Sequence, residues 1–279
     1  MAVNEEIRDF LLSRRARIAP GDVGFPAHGD RRVAGLRREE VAELAGVSVE
    51  YYTRLERGQA RGVSDAVLRA VARALRLGET ERNHLFDLVH AANARPAPRL
   101  HARQVRPGVQ RLLDSMTGAP AYVWNGRLDV LAANALGAAL FAPMFASAAQ
   151  PVNQARFLFL DPAARDFFPD WEQLAHDAAA VLRAEAGRDP HDARLAELVR
   201  ELSAASADFR EMWAAYDVRT RRTGAERFRH PVAGALTVTF ESMSLSDDPD
   251  LRITAGTAEP DSPSAQALTL LSLFVEGTA

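Results

Sequence analysis

Among its 279 residues the chain has no cysteine and no lysine. Without thiols there is no disulfide, no thiolate metal site and no cysteine redox switch, which fits a reducing compartment. All 34 basic residues are arginine. That bias, beside abundant alanine, points to a GC-rich coding sequence and a bacterial source. No long uncharged apolar run occurs, and the stretch NEEIRDFLLSRR mixes charge with apolar residues. A membrane span and a secretory signal are therefore not expected, and the expected location is the cytoplasm. The signatures GxSxG, HExxH, GxGxxG and GxxxxGK[ST] are missing, and the seven histidines lack metal-type spacing. The expectation is a protein that is no enzyme and has no cofactor or metal. The acidic run SDDPD, Ser246 to Asp250, reads as a solvated hairpin loop before it reads as a calcium cage.

A net charge of −3 does not announce a nucleic-acid partner, but its distribution is informative. Residues 1–95 carry 16 arginines against 14 acids, and residues 96–279 carry 18 against 23. Two arginine clusters stand out, one at Arg14, Arg15, Arg17, Arg31, Arg32, Arg37 and Arg38, the other at Arg95, Arg99, Arg103, Arg106 and Arg111. Either one can track phosphates or form a solvated surface.

The stretch LRREEVAELAGVSVEYYTRLERGQ, Leu36 to Gln59, has the pattern of two short helices meeting at a corner. Val41, Ala42, Leu44 and Ala45 recur at helical spacing, Gly46 interrupts, and Tyr52 and Leu55 resume the period. Gly46 supplies a positive φ, Val47 pins the corner to the core, and Ser48 is a preferred N-cap. Alanines at 42 and 45 let the helices cross closely. With Val47, Tyr52 and Leu55 inward, the outward flank of the helix 48–57 carries Val49, Glu50, Thr53, Arg54 and Arg57. Arg54 has the chemistry to pair bidentately with guanine, Thr53 and Val49 to meet a phosphate or a thymine methyl, and Glu50 to accept from cytosine or to repel phosphate.

These residues, with SDAVLRAVARALRL and ETERNHLFDLV after them, resemble the helix-turn-helix domain of the XRE (Cro/C1-type) transcriptional regulators over roughly Glu5 to Ala92. The resemblance implies an all-α domain of five helices with residues 48–57 as recognition helix. It places Arg38 where relatives hold a phosphate, Val49, Glu50, Thr53 and Arg54 at groove-facing positions, and Glu56 in a structural role; Ser48 and Arg57, at the two ends of the helix, complete the expected DNA-binding set. The segment Ala19 to Gly35 departs from the family pattern, and its path is not readable.

Prolines and arginines in ARPAPRLHARQVRPG mark a linker, so the expected division is a DNA-binding domain at 1–94, a linker at 95–108 and a second domain at 109–279. In the second domain VQRLLDSM reads as a short helix. AYVWNGRLDVLAANALGAALF reads as strand, Asn125-Gly126 turn, strand and helix. Three helices fit Pro169 to Arg222, then ERFRHP, ALTVTFESMSL and LRITAGTA alternate as antiparallel strands, and Ser262-Pro263 starts a last helix through Phe274. That helix, ALTLLSLFV, is apolar nearly all round, so it is buried in its domain or in a dimer interface. The expected class is α+β.

PAYVWNGRLDVLAANALGAALF, FLFLDPAARDFFPDWEQLA, DVRTRRTGAERFRHPVAGALTVTFESM and SPSAQALTLL resemble the MmyB-type ligand-binding domain over nearly all of residues 105–275. The resemblance implies a PAS-like antiparallel sheet with helices over one face, an apolar pocket and a fatty-acid-like ligand. The expected wall residues are Trp124, Phe159, Phe168, Trp171, Trp213 and Tyr216. His230 either meets a ligand carboxylate or caps a buried carbonyl, with Arg165, Arg222 and Arg227 as other carboxylate partners. The chain thus reads as a one-component bacterial regulator, a homodimer on a palindromic operator of double-stranded DNA, sensing a small apolar ligand. The alternative is a DNA-binding regulator whose second domain only dimerises or docks a protein partner.

Overall fold

The computed structural model describes residues 3–26, 33, 35–94, 105–146, 150–217 and 224–276. The chain forms two compact units, 1–99 with 183–197 and 212–220, and 100–182 with 198–211 and 221–279.

The first unit is built on α1 (Val3–Ala16), α2 (Arg38–Ala45), α3 (Val49–Glu56), α4 (Asp65–Ala74) and α5 (Glu79–Asn93), with a 3-10 turn at Pro20–Val23. Its core gathers Ile7, Phe10 and Leu11 from α1, Val41 from α2, Tyr52 and Leu55 from α3, Leu68 and Val71 from α4, and Leu85 and Leu88 from α5. These positions recur at three- and four-residue spacing, which is what buries one stripe of each helix. Leu44, read with the apolar stripe of α2, is instead 40% exposed. Residues 27–32 and 34, and with them Arg31 and Arg32, lie outside the described residues, as do 95–104 of the expected linker and Arg222.

The second sequence region runs α6 (Pro107–Ser115), β1 (Ala121–Asn125), β2 (Val130–Ala133), α7 (Ala135–Leu140), α8 (Ala142–Phe145), α9 (Gln154–Leu160), α10 (Ala163–Phe167), α11 (Trp171–Arg188), α12 (Ala193–Ala205), α13 (Ala207–Ala214), β3 (Gly224–His230), β4 (Gly234–Ser244), β5 (Leu251–Thr257) and α14 (Pro263–Glu276). The five strands form one antiparallel sheet ordered β2-β1-β5-β4-β3. All the expected strands are present, and three helices occupy the span after Pro169.

Two side chains organise the first hairpin. Asn134 Oδ1 accepts from the Ala121 and Gly137 amides at 3.0 and 2.7 Å, while its Nδ2 donates to the Met116 and Ala119 carbonyls, each at 2.8 Å. One residue thereby caps α7 and ties it to β1. In the turn between β1 and β2, Asn125 Oδ1 accepts from the Arg127 and Asp129 amides, and the positive φ, 63°, falls on Leu128. The Asn-Gly signal located the turn, but its side-chain-closed geometry moves the left-handed residue two positions past Gly126.

One face of β1 and β5 places Ala121, Val123, Leu251 and Ile253 against Val109 and Leu113 of α6. The other face is aromatic. On β4 the alternation buries Leu236, Val238 and Phe240 and leaves Thr237, Thr239 and Glu241 in solvent, the period-two pattern of a sheet covered on one side. The last helix buries Ala267, Leu268 and Leu271, whereas Leu270, Leu273 and Phe274 are 64, 59 and 58% exposed. In this chain its burial is therefore one-sided.

Candidate nucleic-acid interface and ligand-binding core

Gly46 ends α2 in the left-handed region at φ 66°, and the Gly46 and Val47 amides close on Glu43 and Ala42 carbonyls at 3.1 and 3.0 Å. Ser48 Oγ then accepts from the Tyr51 amide at 3.1 Å and starts α3. The corner has the composition that such a turn requires: a residue free to take positive φ, then a side-chain N-cap.

Two sides of α3 are chemically distinct. Inward, Tyr52 and Leu55 are fully buried, and Glu56 is buried to 1% exposure. The Glu56 carboxylate accepts from Arg15 Nε and Arg38 Nε, each at 2.6 Å, and the Tyr52 hydroxyl lies against it. Burial, with the Glu56 charge beside it, pushes the Tyr52 phenol up from its ordinary range. A buried carboxylate shared by two guanidiniums fixes the end of α3 to α1 and α2, because losing either arginine removes a charge-assisted bond from a buried carboxylate. Outward, Ser48, Val49, Glu50, Arg54 and Arg57 are exposed and Thr53 is half-buried. Arg54 and Arg57 make no side-chain hydrogen bond or ion pair to a described residue. The structure therefore brings the expected DNA-side residues of α3 onto one accessible flank. Glu50, in the first turn, also sits favourably for the helix dipole. Arg38 remains 44% exposed while its Nε is held by Glu56.

Three other members of the first arginine cluster are held by carboxylates, not left free to track phosphates. Arg14 is buried and pairs with Glu81 at 2.9 Å, Arg15 belongs to Glu56, and Arg17 pairs with Asp217 at 2.6 Å. Their acidic partners are far away in sequence, so charge spacing alone gave no sign of them.

Within the second unit, Tyr122, Phe141, Phe167, Phe168, Phe228 and Phe240 form a continuous aromatic cluster with ring centroids 4.7–6.4 Å apart, mostly edge to face. Gly256 opposite Phe240 leaves room for that ring, since a Cβ there would lie 2.6 Å from it. Phe168 belongs to this cluster, and Phe159 stacks edge-on to Trp171 and Phe209 beside it. Trp124 donates Nε1–H to Thr254 Oγ1 at 2.7 Å, and Trp171 donates to the Leu158 carbonyl at 2.7 Å. Trp213 and Tyr216 are not brought to these rings. They lie in the first unit, each over the Arg183 guanidinium.

His230 is committed to backbone. Its Nδ1 accepts from the Val232 and Ala233 amides at 3.2 and 3.0 Å, so Nε2 carries the proton donated to the Ala139 carbonyl at 3.0 Å. Burial lowers its pKa, against the pull of the Ala139 bond. Of the two roles read for it, this geometry is that of a carbonyl cap. Arg227 pairs with Asp170, and Arg165 pairs with Asp208 at 2.8 Å while stacking on Trp171 at 3.5 Å. In the SDDPD loop, Asp247 and Asp248 pair with Arg106. The described residues contain no group of three or more potential metal ligands and no helix long and apolar enough to cross a membrane.

The aromatic sheet region coincides with a family match: residues 105–271 fit the MmyB-like transcription regulator ligand binding domain. The chain belongs to the MmyB-like transcription regulators. Residues 14–85 fit a helix-turn-helix domain, which spans the corner at Gly46 and the flank of α3. This MmyB-like chain thus joins a DNA-binding domain to a regulator's ligand-binding domain. No curated protein matches it.

Proposed function

We propose that the chain is a one-component transcriptional regulator of the XRE kind that reads a palindromic operator as a homodimer and responds to a fatty-acid-like molecule. The observation that carries the DNA half is the division of α3 into a locked inner side and an open outer one. In this reading Arg54 contacts a base edge, Val49 and Thr53 meet a thymine methyl or phosphate, and Glu50 selects cytosine. Ser48 and Arg57 lie at the rim, and Arg38 offers a phosphate the guanidinium edge that Glu56 leaves over. One eight-residue helix reads only a few base pairs, so useful specificity needs two copies a helical turn apart.

The sensing half rests on the family and on the aromatic face of an antiparallel sheet whose helices are inserted between β2 and β3, which suits a PAS-like domain. Trp124, Phe159, Phe168 and Trp171 are the wall residues retained for it. An acyl chain gains about 0.8 kcal/mol for each methylene buried. His230, Arg165 and Arg227 already have partners, so binding a carboxylate at any of them means exchanging one bond for another.

The second reading, a domain that only dimerises or docks a partner, draws on the exposed, uncharged stripe Leu270, Leu273 and Phe274 of α14. The functional division at 95–108 serves both readings. One experiment separates them: operator fragments captured from genomic DNA are titrated with full-length protein in the presence of saturated fatty acids of eight to eighteen carbons. An affinity that changes with chain length supports sensing, and an affinity indifferent to every lipid, with no bound acid in native mass spectra, supports the second reading.

A further inference from the structure

The first unit contains a buried polar cluster that DNA reading does not use. Its centre is Arg183, at 2% exposure the largest fully buried side chain among the described residues. Arg183 Nη1 donates to both Glu6 oxygens at 2.9 and 2.8 Å, and Nη2 donates to the Trp213 carbonyl at 2.5 Å. Its guanidinium lies 3.7 Å from the Trp213 ring centre and 4.2 Å from that of Tyr216. Tyr216, a non-glycine residue at φ 53°, donates its hydroxyl to Asp9 at 2.7 Å and accepts from Arg14 at its carbonyl. Arg17 donates to the Ala215 carbonyl at 2.8 Å and to Asp217. The His84 ring of α5 sits against Gly187, where a Cβ would lie 2.3 Å away. Helices α1 and α5 thus grip residues 183–187 and 213–217 at several points.

Burying a charged pair costs desolvation that attraction barely returns, so such pairs are poor sources of stability and are best attested as devices that select one arrangement. This pair stands next to the recognition machinery. Arg14, which holds Tyr216, is followed on α1 by Arg15, which holds Glu56 at the end of α3. Both gripped segments come from within the 105–271 match, so events in that domain reach the grip along the covalent chain.

We propose that the Glu6–Arg183 cluster is a regulatory clamp on the DNA-reading unit. Seated, it holds α1 so that Arg15 keeps α3 in place; withdrawn, it loosens α1 and α5 and weakens operator binding without changing base preference. This rests on the DNA-binding reading of α3. Preorganised helices bind better than loosely held ones because less ordering is left to the moment of binding.

The test uses full-length Arg183→Leu, the paired exchange Glu6→Arg with Arg183→Glu, and Tyr216→Phe, which removes only the hydroxyl bond to Asp9. Operator affinity is measured at a temperature where circular dichroism shows each variant fully folded, and amide hydrogen exchange is followed without DNA. The clamp predicts a loss of affinity for Arg183→Leu in the range of about 5- to 150-fold, faster exchange in α1, unchanged base preference and partial recovery in the paired exchange. A folded Arg183→Leu that binds and exchanges like the parent overturns it, even if its melting temperature is lower. Should Arg183→Leu fail to fold, Tyr216→Phe decides: parent-like binding and α1 exchange overturn the clamp, and weaker binding with faster α1 exchange supports it. A parent that binds no DNA defeats the reading of α3 instead, and exchange in α1 then still decides whether the clamp braces that helix.

Discussion

At the scale of single residues, Arg38 answers two demands at once. Its Nε is held by Glu56 while almost half of the side chain stays in solvent, so a phosphate can be met without giving up the buried bond. Arg38→Ala should weaken DNA binding on every sequence alike and lower the slope of log affinity against log salt by about one, which titrations at four salt concentrations will measure. His84 makes a different prediction, about pH. Burial first, then the charges of Arg183 and Arg14, hold its pKa down to about 3 from 6.5. The unfolded chain therefore takes up a proton at His84 below pH 6.5 that the folded chain refuses, and stability is lost as pH falls from 6.5 toward 3. The loss amounts to about 1.4 kcal/mol for each pH unit well below 6.5. Glu6, raised because burial outweighs its pairing with Arg183, acts with the opposite sign, gaining stability as pH falls through its raised value. Comparing the parent with His84→Leu isolates the histidine: denaturant melts at pH 7 and pH 4.5 should show the parent losing roughly 2–3 kcal/mol more than the variant.

At the scale of elements, two glycines bracket α3 with unequal constraints. Gly46 has φ 66° and open space where a Cβ would go, so Gly46→Ala should cost only the left-handed backbone penalty, about 1–2 kcal/mol. Gly58 has φ 80° and a Cβ there would lie 2.1 Å from the Asn4 carbonyl oxygen. Gly58→Ala must in addition push α1 away, and thermal melts should rank it as clearly the more damaging of the two. The corner between α2 and α3 was legible because glycine, N-cap and apolar period agree within a dozen residues, and β3 and β4 were legible because one sheet face is wet. The helices α8, α9 and α10 were not. They are four to seven residues long, lie among Pro143, Pro151 and Pro162, and are apolar on more than one side, so no period emerges. Trp213 and Tyr216 looked like pocket walls because a sequence shows an aromatic ring but not the cation it will cover. Likewise Arg14 and Arg15 looked like phosphate contacts because Glu81 and Glu56 approach them only in the folded chain.

At the scale of the whole molecule, a near-neutral chain commits Arg14 and Arg15 to internal ion pairs and leaves Arg54, Arg57 and part of Arg38 on the accessible side around α3. Affinity should then depend on a few well-placed contacts more than on bulk charge. The most direct test is selection of duplex DNA from a random pool by the full-length protein and by Arg54→Ala, followed by sequencing. The account predicts two related half-sites centred about one helical turn apart, with the variant losing roughly 1–3 kcal/mol of preference at one base position in each half-site. Selected sequences that are the same for both proteins, with every position equally preferred, would contradict the assignment of α3 as the reading helix.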